Sequence, residues 1–197
     1  MTDEDILKES RHVRVEASEV LKLTDIENYL SKFGEVHLIG SYRYNVMLKR
    51  DIDFHVVVKE FSEDLVKAFF NYTVGTGLFE HVQFHDKYKF NKEAAARYPS
   101  KAALECYYFG LRFPINSNEW KIDVNFITKP QEKSVEVVKL FDNASEKQRI
   151  QILRFKKLLQ EMQVKMSSAY IYRAVIERNI DDEEELFEYL RSIGYAI

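Results

Sequence analysis

The stretch "DIDFHVVVK", Asp51 to Lys59, restricts the fold more than any other part of the chain. It is rich in β-branched residues and reads as a strand. Residues two apart in a strand share a face, so Asp51 and Asp53 project together while Ile52 and Phe54 point the other way. An unpaired carboxylate resists leaving water. The apolar side is therefore the one that helices cover, and the sheet keeps one acidic face.

Two neighbouring carboxylates raise each other's pKa unless a cation sits between them. Hard oxygen ligands on one face suit Mg²⁺, with Mn²⁺ as a substitute. A third carboxylate stands in "WKIDVNFI", where Asp123 lies between Ile122 and Val124 and shares a face with Lys121 and Asn125. If this strand runs beside the first, three carboxylates converge at one end of a sheet, an arrangement that holds two metal ions about 3.5–4 Å apart. Gly40 and Ser41 follow the apolar run "EVHLI" and precede the short helical stretch "YRYNVMLK". A strand turning through Gly-Ser into a helix presents backbone N–H groups and a hydroxyl to an anion. An anion-binding turn beside a carboxylate–metal cluster is what a nucleoside triphosphate such as ATP requires.

The remaining pattern places these residues in an α+β frame. Residues 1–20 read as a polar arm or helix. Thr24 and Glu27 have capping-box spacing ahead of "DIENYLSKF", and "SEDLVKAFFNYT" predicts a helix crossing the sheet. "HVQFHDKYKF" predicts a strand, and "ECYYFGLRFPI" and "EWKIDVNFIT" flank the turn "NSN" as an antiparallel hairpin. From Pro130 onward every segment follows a helical period, and Ser145 with Gln148 forms a capping box. The expected division is a mixed-sheet domain over 1–129, with its core about 22–128, followed by a helical bundle over 130–197.

Composition narrows the function. The 197 residues are 46% hydrophobic and 31% charged, as in a folded domain. A net charge of −3 gives no general attraction to nucleic acid or anionic lipid. The single cysteine, Cys106, forms no intrachain disulfide and reads as a small core residue. The charged N-terminus resembles no signal peptide and no stretch is long and apolar enough to span a bilayer, so a cytoplasmic location is expected, without membrane association. Arg149, Arg154, Lys156 and Lys157 give one helix a basic character, read as a solvated face or as an RNA-facing surface. His81 and His85 sit too far apart along a strand for a zinc pair. Arg112 faces either the cleft or a cross-strand partner, and Tyr107, Tyr108 and Phe109 read as sheet packing.

An apolar strand, Gly-Ser, nine intervening residues, Asp-Ile-Asp opening a second strand and an isolated strand Asp later together resemble the DNA polymerase β-like nucleotidyltransferase superfamily. The resemblance covers about residues 34–128, with Gly40, Ser41, Asp51, Asp53 and Asp123 at its motif positions. The helical tail is similar to the C-terminal bundle of small antibiotic nucleotidyltransferases. Many small members carry a glycine in the intervening helix and Ser before the first Asp; here Asn45 and Arg50 stand in those regions.

The resemblance implies that Asp51 and Asp53 bind the Mg²⁺ that holds the triphosphate. Asp123 then helps bind a second ion and assists the acceptor hydroxyl, while Gly40 and Ser41 contact phosphate. Arg50, where the chain departs from the family pattern, is a candidate phosphate contact by its charge, with a solvated helix-end charge as the alternative. A small chain with acidic balance favours a small-molecule acceptor over a polynucleotide. RNA ends, a protein side chain, or a catalytically silent nucleotide-binding module remain the alternatives, and a homodimer through the tail is an open arrangement.

Overall fold

A computed structural model describes residues 2–89, 105–130 and 132–197, with the backbone alone over 132–136. Phe90, the end of one expected strand, and Gln131, the start of an expected helix, lie outside the described residues. The chain divides into two compact units. One comprises residues 16–42 and 50–130; the other gathers 1–15, 43–49 and 131–197.

The first unit is built on a mixed five-stranded sheet. Its strands are β1 (Gly34–Ile39), β2 (Asp51–Val58), β3 (His81–Asp86), β4 (Tyr107–Ile115) and β5 (Asn118–Ile127), in the order β1-β2-β5-β4-β3. Only β2 and β5 run parallel; the other neighbours are antiparallel. Ile52, Phe54, Val56 and Val58 of β2 are buried, as are Trp120, Ile122, Val124 and Phe126 of β5. Period-2 alternation thus gives the sheet its dry face.

Two helices among the described residues pack there, α2 (Ile26–Leu30) and α4 (Glu63–Gly75). The fully buried Phe69 of α4 lies with its ring centroid 4.8 Å from Phe109 and 5.3 Å from Phe126. Ser62 caps α4 by accepting from the Leu65 N–H. The hairpin turn is tight because Asn116 and Ser117 both take positive φ, 49° and 63°, the conformation a two-residue connection between twisted strands needs.

One local expectation resolves to a stated alternative and two change. Within the polar-arm-or-helix stretch, residues 3–20 belong to α1 (Asp3–Thr24), a regular helix whose buried Ile6, Ser10, Val13, Ala17, Val20 and Thr24 recur every three or four positions. Thr24 forms no capping box: its hydroxyl donates to the Val20 carbonyl at 2.9 Å, and Asp25, in left-handed backbone at φ 48°, precedes α2. The helix after Gly40 shrinks to one turn, α3 (Gly40–Arg43).

The second unit is helical: α5 (Glu132–Asp142), α6 (Glu146–Glu161), α7 (Ser168–Glu177) and α8 (Glu183–Ser192). Its core joins Ile152, Phe155 and Leu159 of α6 to Tyr172, Val175, Leu186 and Leu190, and takes in Ile6, Tyr44, Val46 and Leu48. Tyr44 stacks on Phe141 at 4.2 Å. The capping box of Ser145 and Gln148 is present.

The basic residues of α6 have partners within the helical unit, Lys147 and Arg154 at the exposed surface and Arg149, Lys156 and Lys157 half-buried. Arg149 donates to the carbonyls of Tyr44 and Phe141 at 2.5 and 3.2 Å, and Lys156 to that of Val46 at 2.5 Å. Arg154 pairs with Asp3 and Lys157 with Glu9. Their charge ties α1 and the 43–49 segment to α6.

Arg149→Met removes the donors of two backbone carbonyls and is expected to cost about 1–3 kcal/mol, read as a lower urea midpoint. Cys106 is buried, and burial pushes its thiol up to about 11. The native chain is therefore expected to resist iodoacetamide at neutral pH and to react once unfolded in guanidinium.

Candidate active site on the polar face of the sheet

The site is set by strand register. Asp53 of β2 stands opposite Asp123 of β5, and Asp51 opposite Lys121. On the flanking strands Ile39 faces Asp53 and Gly110 faces Asp123. Residues directly opposite on neighbouring strands share a face. All three carboxylates therefore lie on the face that α2 and α4 leave uncovered, and each is half-buried.

Gly40 follows β1 and begins α3, in left-handed backbone at φ +69°. A Cβ there would lie 2.4 Å from Asp53 Oδ2. Glycine is thus needed both for the turn and to seat the carboxylate. Ser41 follows in α3. Because α3 is a single turn, its dipole adds little, and an anion would be held by backbone N–H groups and the hydroxyl. The chain leaves through Asn45 at φ 58°, a residue type that tolerates left-handed backbone.

Asp51 Oδ1 is buried with no hydrogen-bond partner. A carboxylate oxygen held from water without a donor is costly, and a cation relieves that cost. With Asp53 two residues away on the same face, the donor set fits a hard divalent ion.

Asp123 is different. Its Oδ1 accepts from the Tyr108 hydroxyl at 2.8 Å, and its Oδ2 lies 2.5 Å from Lys121 Nζ. Burial, followed by the bond to Asp123, pushes the Tyr108 hydroxyl pKa well up. Gly110 makes room, since a Cβ there would come within 2.6 Å of the Tyr108 oxygen. Among the described residues no three His, Cys, Asp or Glu side chains form a group that could hold a metal. The three carboxylates are neighbours in register, Asp53 directly opposite Asp123 and Asp51 opposite Lys121.

Arg50, expected on phosphate, pairs through Nε with Glu16 at 2.8 Å. Arg112 pairs with Glu119 across the hairpin at 2.7 Å, the cross-strand alternative. His55 is buried, and burial, with some effect of His37, lowers its pKa to about 4. It is neutral at pH 7. Tyr108 is not sheet packing: it alternates with buried Tyr107 and Phe109 and so faces the carboxylates, a phase legible in the strand's period.

Among solved structures, the polymerase core of TRAMP, an RNA surveillance complex, aligns with 93% of this chain at TM-score 0.55 and 14% identity. A cytoplasmic RNA terminal U-transferase aligns with 87% of it at 0.55 and 14%. The Cid1 poly(U) polymerase aligns with 88% at 0.58 and 14%. The chain has the nucleotidyltransferase fold. It spans 58%, 53% and 55% of those structures, little more than half their length. No protein-family model and no curated protein matches the sequence. Among the described residues no helix is long and apolar enough to cross a membrane.

Gly40→Ala is expected to lose about 1–2 kcal/mol from the left-handed backbone alone. Displacement of Asp53 should also weaken Mn²⁺ binding. Urea denaturation and calorimetric titration check the two effects separately.

Proposed function

We propose that this chain transfers a nucleoside monophosphate from a nucleoside triphosphate to a hydroxyl group, releasing pyrophosphate. The observation that carries the reading is the buried, donorless Asp51 Oδ1 beside Asp53, on the open face of a nucleotidyltransferase-fold sheet. Asp51 and Asp53 would hold a Mg²⁺ ion, which when bound offsets the charge of the triphosphate. Backbone N–H groups at Gly40 and the Ser41 hydroxyl receive phosphate oxygens. The acceptor oxygen attacks the α-phosphorus, the bond to the bridging oxygen breaks, and pyrophosphate leaves. Asp123, adjacent to Asp53, orients the acceptor hydroxyl and receives its proton. Arg50 steadies the start of β2 through Glu16 and completes the phosphate side of the site.

The acceptor is proposed to be a small molecule, in the manner of the antibiotic nucleotidyltransferases. Four of the five basic side chains of α6, Arg149, Arg154, Lys156 and Lys157, have carbonyl or carboxylate partners within the helical unit, so this helix offers a polynucleotide little uncompensated charge to track. A second reading, an RNA 3′ hydroxyl, draws support from the fold neighbours: the polymerase core of an RNA surveillance complex, an RNA terminal U-transferase and a poly(U) polymerase.

Asp51→Asn and Asp53→Asn are each expected to cut Mg²⁺-dependent pyrophosphate release by about a hundredfold or more, with the melting temperature retained. Labelled triphosphates offered with small polyhydroxylated compounds or short RNA oligomers decide the acceptor. Labelled RNA products would displace the small-molecule reading. Wild-type pyrophosphate release equal to that of both variants would sink the transferase itself.

A further inference from the structure

The third carboxylate carries an inference that rests on the reading above and sharpens it. We propose that the Lys121 ammonium takes the place of a second divalent ion, so that the chain carries one such ion, at Asp51 and Asp53, and Asp123 is neutralised from within. Both oxygens of Asp123 already have donors, Tyr108 on Oδ1 and Lys121 on Oδ2. The Lys121 and Asp123 side chains are 33% and 17% exposed, so water screens the pair poorly. A divalent ion on the same carboxylate would face a fixed positive charge at contact distance, and repulsion at such range is strong where water is scarce.

Register explains why the lysine is captive. Lys121 and Asp123 are two apart on β5 and share its polar face, and Lys121 stands opposite Asp51. The ammonium is therefore held among the carboxylates by the strand itself. Tyr108 fixes the other oxygen, and it reaches across only because position 110 has no side chain. Three carboxylates and one ammonium leave two negative charges, which one divalent ion cancels.

The test is a count of bound Mn²⁺ on the full chain, with Mn²⁺ alone as probe, by the loss of the free-ion electron paramagnetic resonance signal. The wild-type chain is expected to bind one ion and Lys121→Met two. Tyr108→Phe, which keeps the ammonium in place, should stay at one. Thermal melts check that each variant is folded. The double variant Lys121→Met with Asp123→Asn removes both charges together and is expected to keep one ion with affinity changed less than about threefold. Two ions on the wild-type chain, one ion on folded Lys121→Met, or a double variant that has lost its ion would each overturn the inference while leaving metal-dependent transfer standing. No bound ion on the wild-type chain, with Asp51→Asn indistinguishable from it, would overturn both the inference and the metal-dependent reading beneath it.

Discussion

The parallel pairing of β2 with β5 is the constraint on which the candidate site depends. It sets Asp53 beside Asp123 and Asp51 beside Lys121, and period 2 sends all four side chains to one side. The opposite side of the same strands is an unbroken apolar surface against α2 and α4, so a slip of one residue would exchange carboxylates for Ile52 and Phe54. Burial of Phe69, Phe109 and Phe126 thus fixes the chemistry of a face they do not touch. The core specifies the site through register.

Small residues do the local fitting. Gly40 lets Asp53 occupy space that any side chain would fill, and Gly110 lets Tyr108 lie across β4 to Asp123. Each glycine stands opposite or beside a carboxylate, so the backbone yields room where the charged groups need fixed positions. The result is asymmetric: Asp51 keeps a buried oxygen without a donor, whereas Asp123 has a donor on each oxygen. Carboxylates in such different surroundings are suited to different tasks.

In the helical unit, electrostatics serves architecture. Arg149 and Lys156 cap backbone carbonyls of the 43–49 segment, which lacks regular hydrogen bonding of its own over much of its length. Arg154 and Lys157 meet acids of α1 more than 140 positions away. A basic helix in a sequence carries no indication of whether its partners are solvent, nucleic acid or distant parts of the same chain, because all three satisfy the same charge.

Local pattern alone determined the strands, the α4 and α6 caps, the hairpin turn and the shared face of Asp51 and Asp53. Each depends on residues within a few positions of one another, where alternation, cap chemistry and turn residues act directly. The mixed sheet with flanking helices followed from that pattern together with the family resemblance. Tertiary structure decided the rest. Which strand lies beside β2, what holds Asp123, where Arg50 and the α6 charges go, and the grouping of 1–15 and 43–49 with the C-terminal helices all join residues far apart in the chain. Such contacts arise only when burying apolar surface brings the segments together, and the energy that selects them is spread over the whole core.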